Sequence, residues 1–136
     1  MLWKQQVSPF FYQLFIGLKF STKQNKDAQE AAALSYKTQI NDIFTNSWGP
    51  YDDGHRYEGA GPALTAAMEQ SIQEGRGGKG TIYVWASGNG RRANDNCNYD
   101  GYSNHRYTIT VGAVADDGKY AFYRFVYFKK FLVFFS

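Results

Sequence analysis

The sequence predicts an α/β fold, a parallel β-sheet with helices on its faces, and three observations lead there. Segments of helical and of strand patterning alternate through the middle of the chain. The junctions between them carry capping and turn residues. The composition, 43% hydrophobic and 18% aromatic over 136 residues, suits one buried core and excludes a disordered body.

Each element has its own justification. Asp27, with Glu30 three positions on, reads as a capping box that opens a helix through Ala31, Ala32, Ala33 and Leu34 and stops near Tyr36. Ile40, Ile43 and Phe44 lead into 45–48 (TNSW), which reads as a buried strand, ended by the turn chemistry of 49–54 (GPYDDG). A second helix starts at Pro62, with Leu64, Ala67, Met68, Ser71 and Ile72 on one face and Gly75 as its C-cap. Residues 81–86 (TIYVWA) and 107–114 (YTITVGAV) are the following strands. Strands joined through helical segments run parallel. In such sheets ligands bind outside the carboxyl ends of the strands, so the loops at 47–58 and 87–102 should meet and form the site.

The charges are unevenly spread. The net charge of +3 comes from 15 basic and 12 acidic residues, too small an excess to argue for nucleic acid. All 12 acidic residues fall between Asp27 and Asp117, so the middle is slightly acidic and both ends are basic. Most of the 11 Phe also lie in the ends. The organisation expected is an unassigned segment 1–26, a domain over 27–123, and an aromatic, basic tail over 124–136. The apolar run at 7–18 is shorter than the roughly 20 residues needed to span a bilayer, and no small-residue cleavage pattern follows Leu18. Membrane association and a secretory signal are therefore not expected. The tail reads as an edge strand, an aggregation-prone segment, or translated AT-rich non-coding sequence, the last being preferred.

Several motifs weigh little. Residues 75–81 (GRGGKGT) leave a helix and enter a strand, the wrong polarity for a phosphate loop. Arg91 and Arg92 with Tyr99 and Tyr102 resemble a nucleic-acid patch, but Asp95 and Asp100 interleave with them and favour a solvated loop. His55 and His105 have no partner at metal-ligand spacing. The single cysteine excludes an internal disulfide framework.

The carboxylates say more. Asp52, Asp53 and Glu58 come from one loop, and Asp95 and Asp100 from the other. If the loops converge they form either a plain acidic surface or a receptor for cationic side chains or calcium. Asn89 ends a strand, where its amide could stabilise an oxyanion or simply tolerate a left-handed turn.

Three segments, NSWGPYDDG at 46–54, YVWASGNG at 83–90 and DNCNYDGY at 95–102, resemble the kexin/furin group of subtilisin-like proprotein convertases. The similarity runs from about Asp27 to Tyr123, with DAQEAAAL at 27–34 adding a fungal kexin-like note. The resemblance implies a partial subtilisin-like fold from a calcium-dependent secretory-pathway serine endopeptidase that cuts after paired basic residues. It assigns Asn89 to the oxyanion hole, and Ser47, Trp48 and Gly49 to the strand that pairs with substrate. Asp52 and Asp100 fall in the pocket for the basic residue before the cut. Glu58 and Tyr102 line the pocket three residues further upstream, and Asp52 and Asp95 are calcium ligands. The implied partner is a dibasic peptide or proprotein.

Departures from the family pattern are equally specific. The motifs carrying the triad aspartate, histidine and serine do not occur in this sequence, so the chain by itself is expected to be inactive. After Phe122 and Tyr123 the family continues with Ser-Glu, a small residue and Cys, where this chain has Arg124 and Phe125. The resemblance therefore implies an incomplete calcium shell and a free Cys97. A non-catalytic binding module for basic peptides is the competing reading.

Overall fold

A computed structural model describes residues 26–115 and 117–119, together with the backbone of residues 132–135. Its first element, α1 (Lys26–Leu34), is alanine-rich, and places Glu30 and Leu34 one turn apart on the buried side. A turn through Lys37, whose φ is 48°, leads to β1 (Ile43–Asn46). Helix α2 (Pro62–Gly78) buries Leu64, Met68, Ser71 and Gly75 along one stripe, close to the face read from sequence. Its regular part stops where expected, because Gly75 has ψ 156° and Arg76 and Gly77 take positive φ.

The expected capping box at the start of α1 does not form. Asp27 lies inside α1, and its carboxylate accepts the backbone N–H groups of Ala63 and Leu64, both at 2.9 Å. The physical reason lies in α2. Its N-cap residue, Gly61, has no side chain, so the first N–H groups need an acceptor from elsewhere. A Cβ on Gly61 would collide with the Asp27 carboxylate that fills this role.

Strands β2 (Ile82–Ala86) and β3 (Thr108–Val114) complete the expected set, and β4 (Leu132–Phe135) is added from the tail. All pair in parallel in the order β1-β2-β3-β4. Of the three readings of the tail, the edge strand is the one that these four residues adopt. The buried strand expected at 45–48 is corrected: pairing ends at Asn46 opposite Trp85, and Ser47 is already exposed. Gly49 and Pro50 follow at once, and proline cannot donate to a ladder. β1 pairs only with β2 among the described residues, which leaves Ile43 44% exposed on the sheet edge.

Alternation along β2 sends Tyr83 and Trp85 towards both helices, where they join Leu34, Leu64, Met68 and Tyr102 in one core. The Tyr83 hydroxyl donates to the Leu34 carbonyl at 2.7 Å, closing the C-terminal end of α1 over the strand. Burying side chains the size of Leu64 and Met68 contributes about 2 kcal/mol each.

Candidate functional site

Both loops follow the carboxyl ends of strands β1 and β2, and they meet as expected. Their backbones pair directly through an isolated parallel bridge between Glu58 and Asp100, with the Gly101 N–H donating to the Glu58 carbonyl at 2.8 Å. Higher in the loops, the Asn89 N–H donates to Asp52 Oδ2 at 2.7 Å. Gly54, at φ 77°, comes so close to the second loop that a Cβ there would stand 2.7 Å from the Ala93 carbonyl oxygen.

Beneath the loops lies an aromatic platform. Trp48 meets Trp85 edge-on with centroids 4.8 Å apart, and meets Tyr102 at 5.0 Å. Trp85 and Tyr102 stack at 5.4 Å. The Trp85 indole N–H donates to the Trp48 carbonyl at 2.6 Å, fixing the chain where it leaves β1. Such ring pairs add about 0.5–1.5 kcal/mol each beyond the area they bury. Tyr102 is held from below, its hydroxyl donating to Glu30 at 3.0 Å, while Lys26 pairs with the same carboxylate at 3.4 Å. Burial, followed by the hydrogen bond to Glu30 and its charge, pushes the Tyr102 phenol well above its ordinary value.

Two carboxylates are driven upward. Burial is the largest cause at Asp52, opposed by the Asn89 N–H and reinforced by the charges of Asp95 and Asp53. Burial also dominates at Asp100, whose acceptance of the Tyr102 and Ser103 N–H groups only partly offsets it. Asp53 behaves oppositely. It accepts the N–H groups of His55 and Arg56 and forms an ion pair with Arg56 at 2.8 Å, which lowers its pKa. Its charge is thus answered within its own loop, whereas Asp52, Asp95 and Asp100 crowd the junction between the loops.

The remaining positions are placed as follows. Ser47, Gly49 and Glu58 are exposed, and Trp48 is half-buried. A Cβ on Gly49 would stand 3.3 Å from an Asp100 carboxylate oxygen, so this extended segment runs beside that carboxylate. Asn89 is exposed at φ −125°, which removes the left-handed-turn reading; Gly88 beside it takes the positive φ of 92°. Cys97 is buried. Arg91 and Arg92 are exposed, in keeping with a solvated loop. His105 uses Nδ1 to accept the Tyr107 N–H at 3.4 Å.

A calcium ion needs 6–8 oxygen ligands. Among the described residues, no group of three or more His, Cys, Asp and Glu gathers to hold a metal. Asp95 Oδ1 and Asp52 Oδ2 are both engaged by backbone N–H groups, so this pair alone does not fit a calcium shell. The arrangement can instead receive a cationic group at the Asp52–Asp100 junction, where the two charges repel one another.

Sequence reasoning missed Glu30, which it assigned to a helix cap. The available signal was its spacing, since Glu30 precedes Leu34 by four residues and therefore shares the buried face.

Comparison with known proteins accords with the geometry. Residues 8–125 match the Subtilase family. Proprotein convertase subtilisin/kexin type 7 from Mus musculus is 50% identical over 97 residues, covering 71% of this chain and 13% of the relative. Kexin from Saccharomyces cerevisiae is 46% identical over 98 residues, 72% of this chain and 12% of the relative. Endoprotease bli from Onchocerca volvulus is 40% identical over 113 residues, 83% of this chain and 16% of the relative. The chain thus spans about an eighth of the length of the first two, with 13% and 12% covered. No helix among the described residues is long and apolar enough to cross a membrane. With a parallel sheet, two loops joined at its carboxyl edge and a family match over most of its length, the chain belongs to the subtilase family.

Proposed function

We propose that the chain is part of the catalytic domain of a kexin-like serine endopeptidase that processes proproteins after paired basic residues in the secretory pathway. The segment 27–123 is the part carrying that domain. The observation that supports this reading best is the Glu58–Asp100 bridge, which brings carboxylates from two distant loops to one edge. In this reading Asp52 and Asp100 receive the basic side chain before the scissile bond, while Glu58 and Tyr102 line a pocket further upstream. The segment of Ser47, Trp48 and Gly49, exposed at its two ends, pairs with the substrate backbone. Asn89 supplies one oxyanion donor, its exposed amide lying just beyond β2. Calcium would be a ligand of the complete domain only, with most of its oxygens supplied from outside the Asp52–Asp95 pair, which does not form a shell by itself.

In this reading the triad residues are supplied by other parts of the domain, and the chain alone binds without cutting. Calorimetry and a fluorogenic assay with the same dibasic peptide test both halves of the proposal. Binding without turnover is expected. Turnover that survives purification overturns the inactivity, and no heat at millimolar peptide removes the recognition. Capture of basic peptides as the chain's whole role is the second reading, favoured by the aromatic platform and carboxylates being assembled in this chain.

A further inference from the structure

Asn89 is the only asparagine of the sequence that precedes glycine. That pairing has a chemistry of its own, because a glycine nitrogen, with no Cβ beside it, can attack the carbonyl carbon of the asparagine side chain. Asn89 is exposed, and its amide makes no capping bond to the 3-10 turn it precedes, Gly90–Ala93. The amides of Asn41, Asn46 and Asn96 are instead tied to the Tyr36 carbonyl, the Val84 carbonyl and the Asn98 N–H. The fold nevertheless holds Asn89 out of reaction. Ring closure requires the Gly90 nitrogen to eclipse Cβ of Asn89, whereas a ψ of 17° turns it well away. Gly90 itself is buried, and contacts on both sides keep this geometry. The Asn89 N–H is held by Asp52 at 2.7 Å, the Asp95 N–H donates to the Gly90 carbonyl at 3.0 Å, and the Ala93 carbonyl lies against Gly54.

We propose that Asn89–Gly90 is a self-deamidation site that the junction between the two loops keeps closed. When the junction opens, the Gly90 nitrogen bonds to Asn89 Cγ and gives up its proton, ammonia leaves, and a succinimide forms. Water then adds to either ring carbonyl, giving aspartate or, with the chain rerouted through the side chain, isoaspartate. Water is the only co-reactant. The new carboxylate stands beside Asp52, so like charges oppose reclosing of the junction and the change runs one way. Loss of an oxyanion donor at Asn89 rests on the functional reading; the modification itself does not.

The full chain in mildly alkaline buffer, folded and in urea, is followed by peptide mass mapping. Deamidation adds about 1 Da at Asn89, and the isoaspartate is labelled by an isoaspartyl methyltransferase. In urea Asn89 should react before every other asparagine, and Gly90→Ala should slow it about tenfold. Folding should slow the unsubstituted chain by about tenfold or more. Asp52→Ala removes the acceptor, and Gly54→Ala presses a Cβ on the Ala93 carbonyl. Each should raise the folded rate about fivefold while circular dichroism stays native, whereas Asp52→Asn, which keeps an acceptor, should not. Another asparagine reacting first in urea would overturn the proposed site. Equal rates folded and unfolded, or a folded rate unmoved in both Asp52→Ala and Gly54→Ala, would overturn the role of the junction.

Discussion

The carboxylate of Asp52 holds the backbone N–H of Asn89 at 2.7 Å, linking the loop after β1 to the loop after β2. An asparagine at position 52 can still accept that hydrogen bond. Asp52→Asn should therefore change folding stability by less than about 1 kcal/mol in urea denaturation. Affinity for a dibasic peptide should fall about tenfold, the equivalent of one lost charge-assisted contact. Equal losses of stability and affinity would show that the carboxylate serves only to hold the loop.

Acidification should separate folding from binding. The folded-state pKa values of Asp52 and Asp100 lie above their ordinary value of 3.8. Their protonation thus favours folding, a contribution complete below 3.8 and lost as pH rises through the raised values. Basic-peptide binding follows the opposite course and weakens as these same groups take up protons. Asp53 and Asp117 are lowered, so the stability they add is present above 3.8 and lost as pH falls through their folded values. A carboxyl-detected NMR titration should show Asp52 and Asp100 protonating before Asp53, with affinity tracking the first two. Affinity that stays constant until Asp53 titrates would refute their role.

Removing the Tyr102 hydroxyl deprives a buried acceptor of its partner. Tyr102→Phe should cost about 1–2 kcal/mol because Glu30 loses the donor it faces. Glu30→Gln retains an acceptor and should cost less than Tyr102→Phe. Chemical denaturation gives both values, and the reverse order would show that the Glu30 charge, paired with Lys26, contributes more than the hydrogen bond from Tyr102.

Capping across the helix pair is measurable in the same way. Asp27→Ala should destabilise the protein by about 1 kcal/mol, and Asp27→Asn by less, since an asparagine oxygen is also a capping acceptor. Thermal unfolding followed by circular dichroism distinguishes these outcomes. An unchanged midpoint in Asp27→Ala would remove the capping role.

Elements governed by local chemistry were legible in the sequence. Pro62 marked the start of α2, Gly75 its end, and the apolar runs marked β2 and β3. Parallel pairing followed from the order of elements, and with it the convergence of the two loops. What escaped was set at long range. Asp27 and Glu30 match a local capping pattern, yet their partners lie 36 and 72 residues away at Ala63 and Tyr102. The end of β1 escaped for a related reason, since Ser47 and Trp48 continue an extended pattern after the neighbouring strand has stopped pairing with it.

The bond from Asp27 to α2 has a kinetic consequence as well. Ala63 and Leu64 gain their acceptor only after α1 has docked, so the first turn of α2 should be among its last parts to order. Their amides become natural reporters in hydrogen exchange. They should open whenever α1 lifts from the core, even while Met68 and Ser71 further along α2 remain buried beneath intact helix.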